Sequence, residues 1–176
     1  MRHTSDTIKI DHVVMGILRY QEQIVMVQQR IAETNRCYWG LPGGLVEGGE
    51  MITDALIREV KEETGVQVKA IERMVGFSQI DRPLQATQTL LFLFEIAQWQ
   101  GTLQCQDPDN EVYNVELVQQ GKALERLQRT DGWPGIKRPL VAYLQGKVHP
   151  GTSWFYREVH GEQQLLSMLP PGYTSE

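Results

Sequence analysis

The stretch GLVEGGEMITDALIREVKEETGV, Gly44–Val66, constrains this chain more than any other. Helical spacing over Met51–Thr64 puts Ile52, Ala55, Leu56 and Val60 at i, i+3, i+4 and i+8, the apolar stripe of a helix packed on a core. Glu59 at i+7 and Glu63 at i+11 continue that stripe, and Glu62 borders it. Carboxylates in the last turns face the negative end of the helix dipole, at a cost of about 0.3–1 kcal/mol each. Glu59 and Glu63 are also a like-charged i,i+4 pair, which adds roughly 0.2–0.5 kcal/mol. Partial burial adds desolvation. The neighbouring cations, Arg58 and Lys61, fall off the stripe. A bound cation relieves all these penalties together. Carboxylate oxygens suit hard divalent ions, Mg²⁺ first, with Mn²⁺ and Ca²⁺ as alternatives. A solvated acidic helix end is the competing reading.

The limits of this helix are marked from both sides. Glu50 and Asp54 lie near its first turn, where the dipole favours acids. Gly65 suits the left-handed position after its last turn. The preceding loop, WGLPGGLVEGGE, has five glycines in twelve residues. Such a loop can bring carbonyls or N–H groups close to an ion or a phosphate. It contains neither G-K-[ST] nor G-x-G-x-x-G, so the two common phosphate-loop readings fail.

The remaining chain interleaves strands and helices, which gives a mixed α/β class. VVMGILRY and QIVMVQQR read as a β-hairpin, and IAETNRCYWGLPGG as loop. Val66–Ile80 reads as a strand broken near Gly76, followed by a turn at DRPL. Thr87–Ala97 reads as the central strand and Val112–Val118 as a half-buried one. GKALERLQ and Pro134–Gly146 read as helices, the second weakened at Pro139. Residues 147–176 are too few for a core of their own and read as an extension packing on the domain or on a partner copy. That leaves a homodimer open. The aromatic run Trp154, Phe155, Tyr156 is the candidate docking element.

Among 176 residues the formal charge is −5, which argues against non-specific binding to nucleic acid or anionic membrane. Two cysteines without a C-x-x-C spacing give neither a disulfide framework nor a zinc site, and both are expected as small, mostly buried thiols. The opening MRHTSDTIKI has no apolar run of a signal peptide, and LLFLF is too short to span a bilayer. The expectation is a cytoplasmic protein.

The box itself is similar to a known family pattern. Gly44, Glu50, Arg58, Glu59, Val60, Glu62, Glu63, Gly65 and Val66 fill every fixed position of the Nudix box G-x5-E-x7-R-E-U-x-E-E-x-G-U, where U is a bulky aliphatic. The chain therefore resembles the Nudix (MutT-like) hydrolases over about residues 10–146. The resemblance implies an α/β/α sandwich with a mixed β-sheet. It implies a Mg²⁺-dependent pyrophosphohydrolase acting on a nucleoside diphosphate linked to another group. Glu59, Glu62 and Glu63 would hold the metal, with the Gly43 carbonyl as an auxiliary ligand. Arg58 and Glu50 would brace loop against helix.

Glu62 is the first candidate base. From outside the box Glu111 is the better candidate and Glu116 the lesser. Arg30, Gly43 and Gly44 are candidate substrate contacts. Trp39 and Phe77 are expected as packing aromatics, with base stacking as the alternative. Nucleoside triphosphates, normal or oxidised, and ADP-ribose remain open as substrates, since Pro83 and WGLPGG do not separate them. The other class of function is a Nudix-fold module that senses a nucleotide without cleaving it. Sensor modules often replace box glutamates, and none is replaced here.

Overall fold

In the computed structural model, which describes residues 7–31, 36–130 and 133–169, the chain opens with strands β1 (Lys9–Tyr20) and β2 (Gln23–Ile31). Their hydrogen-bonded pairing is confined to the hairpin end, Arg19 with Ile24 and Tyr20 with Gln23. Beyond it the strands part. β1 takes on β4 (Gly43–Leu45), with Met15 opposite Gly43. β2 takes on β3 (Arg36–Gly40) and β7 (Val112–Gln119). The result is a fork with Gly43 on one arm and Gln29 on the other.

Four further strands complete the sheet: β5 (Gln67–Arg82), β6 (Thr87–Gln100), β8 (Thr152–Val159) and β9 (Glu162–Leu169). The order is β3-β2-β1-β6-β5-β8-β9, with β4 and β7 branching from β1 and β2. β1 runs parallel to β6 and β5 parallel to β8, while β5–β6 and β8–β9 are antiparallel. The sheet is therefore mixed, and β6 is central, as its near-continuous apolar run requires.

Side-chain alternation along the strands sends two apolar sets to opposite faces. Val14, Leu18, Val25 and Phe94 pack with Ala55, Leu56 and Val60 of helix α1 (Ile52–Thr64). Ile17, Ile24, Met26 and Leu93 pack with Ala123 and Leu127 of α2 (Gln120–Arg129) and with Leu140 and Leu144 of α3 (Pro134–Leu144). This is an α/β/α sandwich. Each fully buried aliphatic side chain contributes roughly 1.5–3 kcal/mol. None of the helices among the described residues is long and apolar enough to cross a membrane.

Helix α1 matches its sequence limits, and Gly65 takes φ 76°, the left-handed value that stops it. Elsewhere the structure revises the reading. The stretch expected as loop before the box carries β3 and β4, because the fork exposes strand edges that its backbone can pair; residues 32–35 lie outside the described set. The expected break near Gly76 is a set of register shifts inside one continuous strand. Pro139 sits inside α3 without ending it. Proline lacks the N–H that would bond the carbonyl four residues back, and here that carbonyl, of Gly135, accepts the Ser78 hydroxyl at 2.6 Å.

Of the expected extension, residues 147–169 are described and Pro170, Pro171 and Gly172 are not. Trp154 and Tyr156 on β8 are buried against Ile80, with Ile136 of α3 packed on the cluster. Phe155 points to the other face, 6.2 Å from the Phe77 ring.

Candidate active site

The site forms where the C-terminal half of α1 meets the fork. Glu63 turns inward and is 5% exposed. Its Oε1 accepts the side-chain amide of Gln29 at 2.6 Å, and its Oε2 accepts the Gly43 backbone N–H at 2.7 Å. Tyr38 of β3 donates its hydroxyl to the Gln29 carbonyl oxygen. Burial pushes Glu63 up to about 8 despite both donors, and the charges of Glu59 and Asp107 push the same way. Glu59 is likewise raised by burial, against the opposing pull of Arg58. Burial, then the charges of Glu63 and Glu111, push Tyr38 up to about 12, which keeps the phenol a neutral donor.

Gly44 has a steric reason to be glycine. A Cβ there would lie 2.6 Å from the Glu59 carboxylate carbon and from both of its oxygens. The carboxylate packs flat over the backbone of β4.

Arg58 starts off the inward stripe, but its long side chain curls back over it. Nε and Nη2 grip Glu50 at 3.0 and 2.9 Å, the bidentate fork that a planar guanidinium allows. Nη1 reaches Glu59 at 2.9 Å and Glu62 at 3.2 Å, and Nη2 also donates to the Leu45 carbonyl. Although Arg58 falls off the stripe, its reach rather than its helical position brings the guanidinium to Glu59 and Glu62. The Glu50 carboxyl is held below its ordinary range by this guanidinium.

The loop before β7 ties itself to the end of α1. Gln106 N–H donates to the Glu62 carbonyl and Gln104 N–H to the Thr64 carbonyl. These bonds satisfy helix-end acceptors that would otherwise lack partners. They also bring Asp107 to the acids. Asp107 Oδ2 accepts the N–H groups of Glu111 and Val112, each at 2.7 Å. Arg30 N–H donates to the Glu111 carbonyl. The Arg30 guanidinium stands 5.7 Å from the Tyr113 ring centre. Arg30, Tyr113, Asp107 and Asn110 line an open cleft of about 480 Å³, and Gln106 borders both it and a second cleft at Arg58, Lys61 and Glu62.

The structure thus gathers Arg58, Glu59, Glu62, Glu63, Gly43 and Gly44 at one helix end, with Arg30 and Glu111 on the adjoining loop and strand. Glu116 is elsewhere. It pairs with Arg126 of α2 at 2.7 Å, on the opposite face of the sheet, and Arg126 lies 3.7 Å over the Trp39 ring. Phe77 packs on Phe92 and Phe155. Cys37 is exposed, contrary to the expectation of buried thiols, because β3 is a sheet edge. Gln29, Tyr38 and Asp107 belong to the site and were not singled out from sequence. The only signal for Gln29 was its place in a polar run, residues 28–30, that follows directly on the buried residues 24–27 of the same strand.

Whether these residues fit a metal is a question of donor type and charge. Among the described residues no three acidic, histidine or cysteine side chains already converge as a cage. Arg58 Nη1 stands between Glu59 and Glu62, and Glu63 is turned into the fork. The donor set is nevertheless all hard carboxylate oxygen. Glu59 and Glu63 are lifted by burial and by neighbouring acids, so the cluster is short of positive charge. The residues fit a hard divalent cation.

Comparison with known proteins agrees with the geometry. The family model for the NUDIX domain matches residues 10–144. The chain is 32% identical over 84 residues to an ADP-ribose pyrophosphatase of Methanocaldococcus jannaschii, covering 47% of this chain and 49% of that protein. It is 43% identical over 56 residues to an 8-oxo-dGDP phosphatase of Mus musculus, covering 31% and 17%. The chain therefore spans about half the length of the first relative and far less of the second. In structure it is similar to a MutT protein from Bacillus halodurans, with a TM-score of 0.67 at 23% identity over 90% of this chain and 96% of that one. It is also similar to the E. coli ORF135 protein, with a TM-score of 0.63 at 25% identity over 80% and 92%. With the family match spanning more than half of its length and the acidic helix end folded as described, this chain belongs to the Nudix family.

Proposed function

We propose that the chain is a Mg²⁺-dependent pyrophosphohydrolase that cleaves a nucleoside diphosphate linked to another group. One observation carries the reading: three carboxylates crowd the end of α1, and a strapped loop adds Asp107 and Glu111 to them. Glu59, Glu62 and Glu63 would hold the ion, with Mn²⁺ as an alternative. The bound ion would offset the negative charge of the pyrophosphate and acidify a coordinated water.

The chain's own residues supply the rest. Arg58 steers Glu59 and Glu62 and anchors them to Glu50. Since Glu62 already accepts from Arg58, we assign the proton of the attacking water to Glu111, an exposed acid beside the cleft. The water oxygen attacks phosphorus, the bridging P–O bond breaks, and Glu111 takes the proton. Arg30 lines the cleft and would pair with a phosphate there, and Gly43 and Gly44 are read as backbone contacts for the substrate. We read residues 10–146 as the catalytic unit and the strands after it as an extension packed on that unit.

ADP-ribose and 8-oxo-dGDP are named for two relatives, and ADP-ribose and nucleoside triphosphates, oxidised or not, are the first substrates to try. The test is a panel of ADP-ribose, NADH, dinucleoside polyphosphates and normal and oxidised triphosphates, assayed for released phosphate species with and without EDTA. Cleavage that EDTA abolishes and Mg²⁺ restores supports the reading. Metal-independent cleavage overturns it. Binding with no cleavage of any compound favours a nucleotide-sensing module instead.

A further inference from the structure

Glu63 is the most deeply set of the three helix acids, and it sits between two arms of a fork rather than over a flat sheet. Each of its oxygens accepts one N–H, from Gln29 on β2 and from Gly43 on β4. A carboxylate oxygen has two lone pairs, so one on each remains open after these bonds. The donors fix the plane of the carboxylate and therefore the direction of what remains. Gly43 is a backbone donor held in the strand pairing of β4 with β1. Gln29 is a side chain, and its amide could present either end. The ionised Glu63 settles that choice, because a carboxylate only accepts and so takes the NH₂, and the Tyr38 hydroxyl then donates to the amide oxygen on the far side and holds the amide in place. A reversed amide would set its oxygen against a carboxylate oxygen. Tyr38 itself makes a T-shaped ring contact with Trp133, 6.1 Å between centres.

We propose that Gln29 and Tyr38 form a positioning relay for Glu63, fixing its carboxylate so that the open lone pairs meet a divalent ion. Both residues act through Glu63 and neither is a ligand. The relay rests on the metal-dependent reading above. It is the kind of outer partner whose loss usually weakens metal binding about 10–100-fold. The alternative is that the same bonds only hold the fork together, which would change stability and leave ion binding alone.

The experiment is a Mn²⁺ titration of the full chain followed by electron paramagnetic resonance, without substrate, on wild type, Gln29→Leu and Tyr38→Phe, with thermal unfolding of each. The expected result is a Kd for Mn²⁺ raised about 10-fold or more in Gln29→Leu. In Tyr38→Phe it is raised about 2–10-fold, the value of one hydrogen bond. Should Gln29→Leu fail to fold, Tyr38→Phe decides alone, since it removes a single oxygen. Folded variants that bind Mn²⁺ as wild type does, whatever their Tm, overturn the relay and leave the metal reading standing. A wild type that binds no Mn²⁺ overturns both.

Discussion

Glu63 near the end of α1 accepts the backbone N–H of Gly43, twenty residues earlier in the chain, at 2.7 Å. This bond places a buried carboxylate where burial lifts it to about 8 from the ordinary 4.5. The folded protein then holds a proton that the unfolded chain releases between about pH 4.5 and 8, so stability falls as pH rises through that window. The metal-free protein is expected to lose Tm from about pH 5 to pH 8 more steeply than Glu63→Gln. Added Mg²⁺ should recover the loss at the alkaline end. Parallel Tm–pH curves for the two proteins contradict this.

Arg58 joins Glu50, Glu59, Glu62 and the Leu45 carbonyl with one guanidinium. Lysine keeps the charge but cannot make the fork. Arg58→Lys is therefore expected to fold and to lose about 10–100-fold in kcat, as supporting partners of a metal site do. Steady-state kinetics alongside a melting curve checks it, and wild-type turnover would show that charge alone suffices.

Gly44→Ala would bring a methyl group within 2.6 Å of the Glu59 carboxylate. The obstructing atoms are the end of a flexible side chain, so Glu59 swings away and the fold survives. The expected outcome is a Tm close to that of wild type with a higher Mg²⁺ concentration for half-maximal activity.

Glu111 and Glu116 are separated by the sheet. Glu111→Gln should cut kcat by about 10²–10⁴-fold, the range for a lost general base, with little change in Tm. Glu116→Gln should lower Tm instead, because it weakens the pairing of a largely buried Arg126, and should leave kcat near wild type. Opposite outcomes would exchange the two assignments.

Ser78 and Pro139 are expected to be coupled through the Gly135 carbonyl. Ser78→Ala leaves that acceptor without its donor, at a cost of about 1–3 kcal/mol. Pro139→Ala supplies a backbone N–H that can replace it. A double-mutant cycle by chemical denaturation should show non-additivity, and additive losses would dissolve the link.

Helix α1 was legible because its determinants are local. Stripe, acids and stopping glycine all lie within one segment, and a 3.6-residue period alone puts Glu59 and Glu63 on the buried side. The central position of β6 followed from its unbroken apolar run, and the Nudix spacing identified the box. The fork was not legible. Its cause is a change of partner, β1 turning to β4 and β2 to β3 and β7, and strand pairing depends on backbone edges that no single segment encodes. Gln29 read as an ordinary polar strand residue and Tyr38 as part of a loop until the fork gave them Glu63 to face. Asp107 read as a loop acid until backbone bonds to the end of α1 carried it inward.

The sequence by itself determined the helix, its acids and the family, because these rest on spacing along one stretch of chain. Only the tertiary structure decided which donors hold each acid, how far Arg58 reaches, and that Glu116 pairs with Arg126 of α2. Those outcomes depend on side chains from separate strands meeting within hydrogen-bond distance, and a few ångströms of chain path set which of them meet.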